Sequence, residues 1–300
     1  MKYIIEFLIF KILLFIIKIL PKKAVALLGR SFGMFCYYIG LRRKVVGINL
    51  SIAFKNQLNK KEENLLTKKI YKNIGSIMFE VLLLNFISSE NLDKYIEIEG
   101  KEIFEEAINE GRGVVMAGSH FGNWELLSAG INHFIKPFYA YTGLQKNQLF
   151  DKSLNQIRTK FGMVAVSKSK TATRDLMKAL KNKEIIGILG DLNVPNESLF
   201  VDFFDKKASM GVGLPAFTVS KKAPLIFTSI VRTGLLKHKG KIVRIPYTLC
   251  GDNDKDIQTV AQLISSEIEK NIKDYPDHYF WFNRRWKTRP PEEKNESVYQ

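Results

Sequence analysis

From Tyr95 onward, short apolar runs alternate with stretches of helical periodicity, and this alternation constrains the fold more than any other feature. The apolar runs fall at 95–98, 114–117, 137–141, 163–166, 185–189, 225–231 and 242–247. Helical patterns fall at 101–109, 123–134, 147–161, 172–182, 212–221 and 256–273. Parallel strand pairs need a crossover of about a dozen residues or more, usually a helix. The alternation therefore predicts an α/β fold with a largely parallel sheet flanked by helices. No repeat or linker divides this region.

Within it, Val114-Val115-Met116-Ala117-Gly118-Ser119-His120-Phe121-Gly122-Asn123-Trp124-Glu125 reads as strand, tight loop and helix start. Asn123 is the expected N-cap, and Gly118 and Gly122 can take the positive φ that a sharp bend requires. His120 and Glu125 are five residues apart, which on one helix separates their side chains by roughly 140°. Cooperation therefore requires His120 in the loop and Glu125 in the first helical turn. A carboxylate beside an imidazole fixes its tautomer and stabilises the imidazolium, so the pair reads as a general base and its orienting partner. The plainer reading is a loop histidine and a carboxylate favoured by the helix dipole.

The N-terminus is a second constraint. Residues 3–20 are almost wholly apolar but are interrupted by Glu6, Lys11 and Lys18. The segment is close to the roughly 20 residues that span a bilayer. It is expected to span or to lie in the interface with its lysines reaching the headgroups. Lys22, Lys23, Arg30, Arg42, Arg43 and Lys44 follow, which predicts a cytoplasmic flank. A buried helical hairpin is the alternative. The expected division is a membrane anchor and hairpin over 1–40, a catalytic domain over 41–290, which begins with two helices within 44–88, and a polar, disordered tail over 291–300.

The formal net charge of +16 points to polyanionic partners such as phosphates, anionic lipid or an acidic protein. The basic residues are spread along the chain and form no zinc-finger, RNA-recognition or helix-turn-helix signature, which argues against nucleic acid. A lysine-rich proteome would give the same excess. Cys36 and Cys250 form no disulfide framework, and no histidine spacing suggests a metal. A reducing compartment suits such a chain.

Four further segments carry candidate site residues. Arg174 opens the helix after Lys168-Ser169-Lys170, where a guanidinium beside a helix N-terminus can hold phosphate. Asp191 ends the apolar run 185–189, with Asn193 two residues on, at the strand tip where parallel sheets place their sites. Phe203-Phe204-Asp205 precedes a small-residue helix start. Tyr279-Phe280-Trp281-Phe282-Asn283-Arg284-Arg285-Trp286-Lys287-Thr288-Arg289 interleaves aromatic and basic residues. It reads either as an aromatic core corner or as an interfacial surface with arginines on phosphate.

The string His120-Phe121-Gly122-Asn123-Trp124-Glu125 and the run from Tyr279 to Arg289 resemble the lauroyl and myristoyl transferases of lipid A biosynthesis. These lie within the glycerolipid/lysophospholipid acyltransferase superfamily. Matches run in order from about Asn49 to Arg289. The chain departs at Asp205, where relatives have glycine, and it lacks the prolines that follow. The resemblance implies a membrane-anchored α/β acyltransferase on the cytoplasmic side of the bacterial inner membrane. It needs no bound cofactor or metal. The donor would be acyl carrier protein loaded through its phosphopantetheine thioester, and the acceptor a hydroxyl of a phosphorylated glycolipid. His120 would be the general base with Glu125, and Arg174, Asp191, Asn193, Arg284 and Arg285 would bind substrate. The alternatives are an acyltransferase for another glycolipid or a lysophospholipid, and a non-catalytic basic protein of the anionic membrane surface.

Overall fold

The computed structural model describes residues 2–195, 198–293 and 298–299. Four helices lead the chain: α1 (Lys2–Ile19), α2 (Lys22–Tyr38), α3 (Arg43–Ala53) and α4 (Lys60–Leu84). Helix α4 starts on a capping box in which Asn59 accepts from Lys61 and Glu62 while Glu62 reaches back to the Asn59 amide. Helix α2 lies along α4 with backbone nearly touching backbone. A Cβ on Gly33 would stand 2.0 Å from the Tyr71 carbonyl oxygen, so only glycine permits this approach.

The remainder forms β1 (Ile96–Glu99), α5 (Lys101–Asn109), β2 (Val114–Gly118), α6 (Trp124–Phe134), β3 (Tyr139–Thr142), α7 (Gln148–Thr159) and β4 (Val164–Ser167). Next come α8 (Ala172–Lys181), β5 (Ile185–Leu189), β6 (Ser198–Phe203), β7 (Lys206–Gly211), α9 (Gly213–Lys221), β8 (Leu225–Gly234), β9 (Lys237–Arg244) and α10 (Asn253–Asp274). Seven strands form one sheet in the order β1-β9-β8-β2-β5-β3-β4. All its pairs are parallel except β8 with β9. Every strand of this sheet falls on one of the predicted apolar runs, with β9 starting five residues earlier than its run.

Side chains on the two faces of β2 divide between two cores, Val115 and Ala117 into one and Val114 and Met116 into the other. The first core takes residues of α8, α9 and α10. The second takes residues of α5 and α6 with parts of α1, α2 and α4.

Three features go beyond or depart from the sequence reading. The β6–β7 hairpin was not expected. It turns through Phe204 and Asp205 with both residues at positive φ (52° and 57°), the two-residue turn that suits the twist of a hairpin. Asp205 thus sits where glycine is conformationally easiest. The aromatic run at 279–289 is not a membrane surface but the core corner: Trp281 and Trp286 are fully buried. The tail lies partly outside the described residues. Its described part is ordered, with the Trp286 amide donating to the Tyr299 hydroxyl at 3.2 Å and that hydroxyl donating to Asn49.

Among the described residues, no single helix is long and apolar enough to cross a membrane. Helix α1 therefore does not meet the expectation of a spanning anchor, because Glu6, Lys11 and Lys18 interrupt it. The bent pair α2 and α3, with 91° between them, passes that test by length and composition. Helix α1 is apolar on both its buried and its outward side. Phe10, Leu14 and Ile17 are buried, Phe10 packing edge-on against Phe150 of α7. Ile4, Ile5, Leu8, Ile9, Ile12, Phe15 and Ile19 face outward and are all more than half exposed.

Candidate active site

Strands β2 and β5 are hydrogen-bonded neighbours, with Gly118 opposite Leu189. The Gly190 amide continues the pairing by donating to the Gly118 carbonyl at 3.0 Å. His120 and Asp191 each follow two residues beyond their strand ends, so adjacent strand tips bring them together although 71 residues separate them. His120 Nδ1 lies 2.8 Å from Asp191 Oδ1. The Asp191 side chain is buried, at 1% exposure, while the imidazole keeps 21% and reaches the surface. With Nδ1–H donated to the carboxylate, Nε2 carries the lone pair and is the nitrogen that can take a proton.

The loop around His120 is fixed on both sides. Gly122 has φ +56°, and a Cβ there would meet the Ile230 carbonyl oxygen at 2.0 Å. Gly118, by contrast, stays in the strand, so the bend is made at Gly122 alone. Residues 120–122 pair with the C-terminal segment: the Phe280 amide donates to the His120 carbonyl at 2.9 Å, and the Gly122 amide donates to the His278 carbonyl at 2.8 Å. Asn123 caps α6 as expected, its Oδ1 accepting from the Leu126 amide at 3.0 Å. Trp124 presents its ring edge-on to the imidazole, 5.0 Å between centroids.

Glu125 is in the first turn of α6 but does not hold His120. Arg158 of α7 takes its carboxylate in a bidentate grip, with Nε 2.9 and 3.0 Å from the two oxygens and Nη2 on Oε1. Both side chains are largely buried. The partner that orients His120 in this structure is Asp191. Arg158 had no distinguishing mark in the sequence, where it is one basic residue in an amphipathic helix.

The remaining candidates separate. Asn193 ties the site to the C-terminal segment, its Oδ1 accepting from the Thr288 amide at 2.8 Å and its own amide donating to Asn283 Oδ1 at 3.2 Å. Arg285 is not on the surface. It is 2% exposed, donates through Nη1 to the Ser209 carbonyl and lies over the Phe203 ring. Burial pulls its pKa down, and the nearby Asp191 carboxylate offsets part of that pull. An arginine so placed has no route to a lipid phosphate. Arg284 is exposed and lies against Tyr299. Arg174 is 78% exposed at the start of α8, beyond edge strand β4, with its Nε 3.7 Å from Asp175. The structure does not bring it to His120. Tyr279 lies behind the pair, its hydroxyl donating to the Asp191 carbonyl at 3.3 Å, and burial pushes its pKa well above the usual value.

No group of three or more metal-ligating side chains occurs among the described residues. What the site offers is an imidazole held by a carboxylate at the tips of two parallel strands of an α/β protein, with Nε2 able to take up a proton.

Comparison with known proteins specifies that class. Residues 1–288 match the family model described as bacterial lipid A biosynthesis acyltransferase, and the chain belongs to that family. It is similar to the lipid A biosynthesis lauroyltransferase of Escherichia coli (strain K12), 25% identical over 280 residues that cover 90% of this chain and 88% of that protein. The lipid A biosynthesis palmitoleoyltransferase of the same strain is 22% identical over 275 residues, covering 90% and 87%. A phosphatidylinositol mannoside acyltransferase of Mycobacterium tuberculosis (strain ATCC 25618 / H37Rv) is 20% identical over 220 residues, covering 72% and 68%. The protein is an acyltransferase.

Proposed function

We propose that the protein moves a fatty acyl chain from the phosphopantetheine thioester of acyl carrier protein to a hydroxyl of a phosphorylated lipid A precursor, at the cytoplasmic face of the bacterial inner membrane. The observation that carries the reading is the His120–Asp191 pair at adjacent strand tips in a chain of this family. His120 Nε2 takes the proton of the acceptor hydroxyl as its oxygen attacks the thioester carbonyl. The new ester bond forms, the carbon–sulfur bond breaks, and the departing thiolate receives the proton from the imidazolium. Asp191 holds the tautomer and the developing charge. Glu125 keeps Arg158 at the N-terminal end of α6, and the exposed Arg284 is the arginine of the C-terminal run that remains for phosphate. The outward apolar face of α1, with Lys11 and Lys18, suits a helix lying in an anionic interface.

Another membrane glycolipid is the second reading, supported by the similarity to the mannoside acyltransferases. The test is mass spectrometry of lipid A from cells with and without the gene, beside transfer assays on the purified protein. The expected result is one acyl group fewer without the gene and no transfer by His120→Ala. Unchanged lipid A with an altered second glycolipid selects the other acceptor. Wild-type turnover by His120→Ala would remove the mechanism.

A further inference from the structure

Behind the His120 loop lies a buried polar cluster that the chemistry above does not use. Glu80 is the one acid within the apolar stretch Ile77–Leu84 of α4, and it is 4% exposed. Its carboxylate receives Asn123 Nδ2 at 3.0 Å and both Nη atoms of Arg232, Nη2 at 2.9 Å. His238 Nε2 stands 3.3 Å away. A carboxylate this deep is tolerated only when its oxygens are filled by donors.

Two of the residues around it, Asn123 and Arg232, lead to the catalytic loop. Asn123 uses its other side-chain atom to cap α6 directly after the loop. The Arg232 amide donates to His278 Nε2 at 2.9 Å, and the His278 carbonyl receives the Gly122 amide. Arg232 Nε also donates to Asn73, which in turn donates to the Asp277 carbonyl. One carboxylate thus joins α4, β8, the cap of α6 and the strand-like segment paired with residues 120–122.

We propose that Glu80, with Arg232, is a positioning residue for His120. It fixes the C-terminal end of the loop by two routes, at Asn123 directly and at Gly122 through His278, and so sets where Nε2 stands relative to the reacting hydroxyl. Displacement of a catalytic group by about 1 Å can cost on the order of 10²-fold in rate without loss of substrate binding. The inference rests on His120 being the base.

The test measures kcat and KM for acyl transfer by the full chain, with folding followed by circular dichroism. Glu80→Gln keeps the shape but faces Arg232 with an amide. It is expected to lower kcat about 10- to 100-fold with KM within about twofold and the spectrum unchanged. Asn123→Asp sets two carboxylates against each other and is expected to lose kcat likewise. Glu80→Gln combined with Asn123→Asp restores a donor–acceptor pair with its polarity reversed, and should regain at least about tenfold over Asn123→Asp alone. If Glu80→Gln does not fold, Asn123→Ser keeps a side-chain oxygen that can cap α6 while withdrawing the amide donor from Glu80, and should show the same loss in kcat. Wild-type kcat in the folded single variants, or a double variant no faster than Asn123→Asp, overturns the proposal. His120→Ala is run in parallel. Turnover there removes the base itself, whereas a dead His120→Ala beside a fully active Glu80→Gln removes only the positioning role.

Discussion

At the scale of single residues, two carboxylates near the His120 loop have different partners. Asp191 contacts the imidazole, and Glu125 contacts Arg158. Asp191→Asn is therefore expected to lower kcat by roughly 10²–10⁴-fold, since an amide neither holds the tautomer unambiguously nor stabilises the imidazolium. KM should move little. Steady-state kinetics on the purified variant decides it, and wild-type kcat would show that the contact is incidental. His120 was legible because glycines, an N-cap residue and an apolar run surround it in a short stretch. Asp191 was legible as a strand-tip residue. Their contact was not, because it depends on β2 and β5 being neighbours, which no local pattern encodes. Arg285 was misplaced for a related reason: a charged residue in sequence gives no sign that its charge will be buried over Phe203 and beside Asp191.

At the scale of elements, the outward apolar face of α1 is the surface on which the proposed bilayer contact can be tested. Deleting the helix would confound two effects, because Phe10, Leu14 and Ile17 are buried against the body of the protein. Ile9 and Ile12 are each 61% exposed, so replacing both by Glu removes apolar surface from the membrane side and leaves the core intact. The double variant should lose most of its binding to anionic vesicles in a flotation assay, with its melting temperature within about 2 °C of wild type, as surface substitutions usually allow. Retained flotation would place the contact at the C-terminal end of α2, where Phe35, Tyr38 and the following Ile39 are also exposed. The element that sequence reading missed, the β6–β7 hairpin, turns on Phe-Asp rather than on Asn-Gly or Asp-Gly. Its positive φ values are held by packing and by the pairing of Ser198–Phe203 with Lys206–Gly211, not by turn chemistry visible in the chain.

At the scale of the whole molecule, the buried cluster around Glu80 links stability to pH. Burial alone would raise the Glu80 pKa, but the His238 ring nitrogen 3.3 Å away and the hydrogen-bonded, charged Arg232 outweigh it and hold the value at about 2, against 4.5 when unfolded. A carboxyl depressed in the folded state contributes stability that is complete above the unfolded value and is lost as pH falls towards the folded one. Thermal melts between pH 6 and pH 3 should therefore show a decline beginning near 4.5, and that part of the slope should be absent in Glu80→Gln. Equal slopes in both proteins would mean that other carboxylates carry the acid sensitivity. The large-scale plan was legible because every strand of the main sheet overlaps an apolar run; the antiparallel pairing of β8 with β9 was not, since strand direction leaves no trace in composition.

The placement of His120 and Asp191 beyond two paired strand ends also bears on how activity arises during folding. Neither residue can find the other through local structure, and parallel pairing across a long intervening segment is a slow, non-local event. Recovered turnover in a refolding experiment would thus mark the moment at which β2 and β5 zip together, and no partly folded species lacking that ladder should transfer an acyl group.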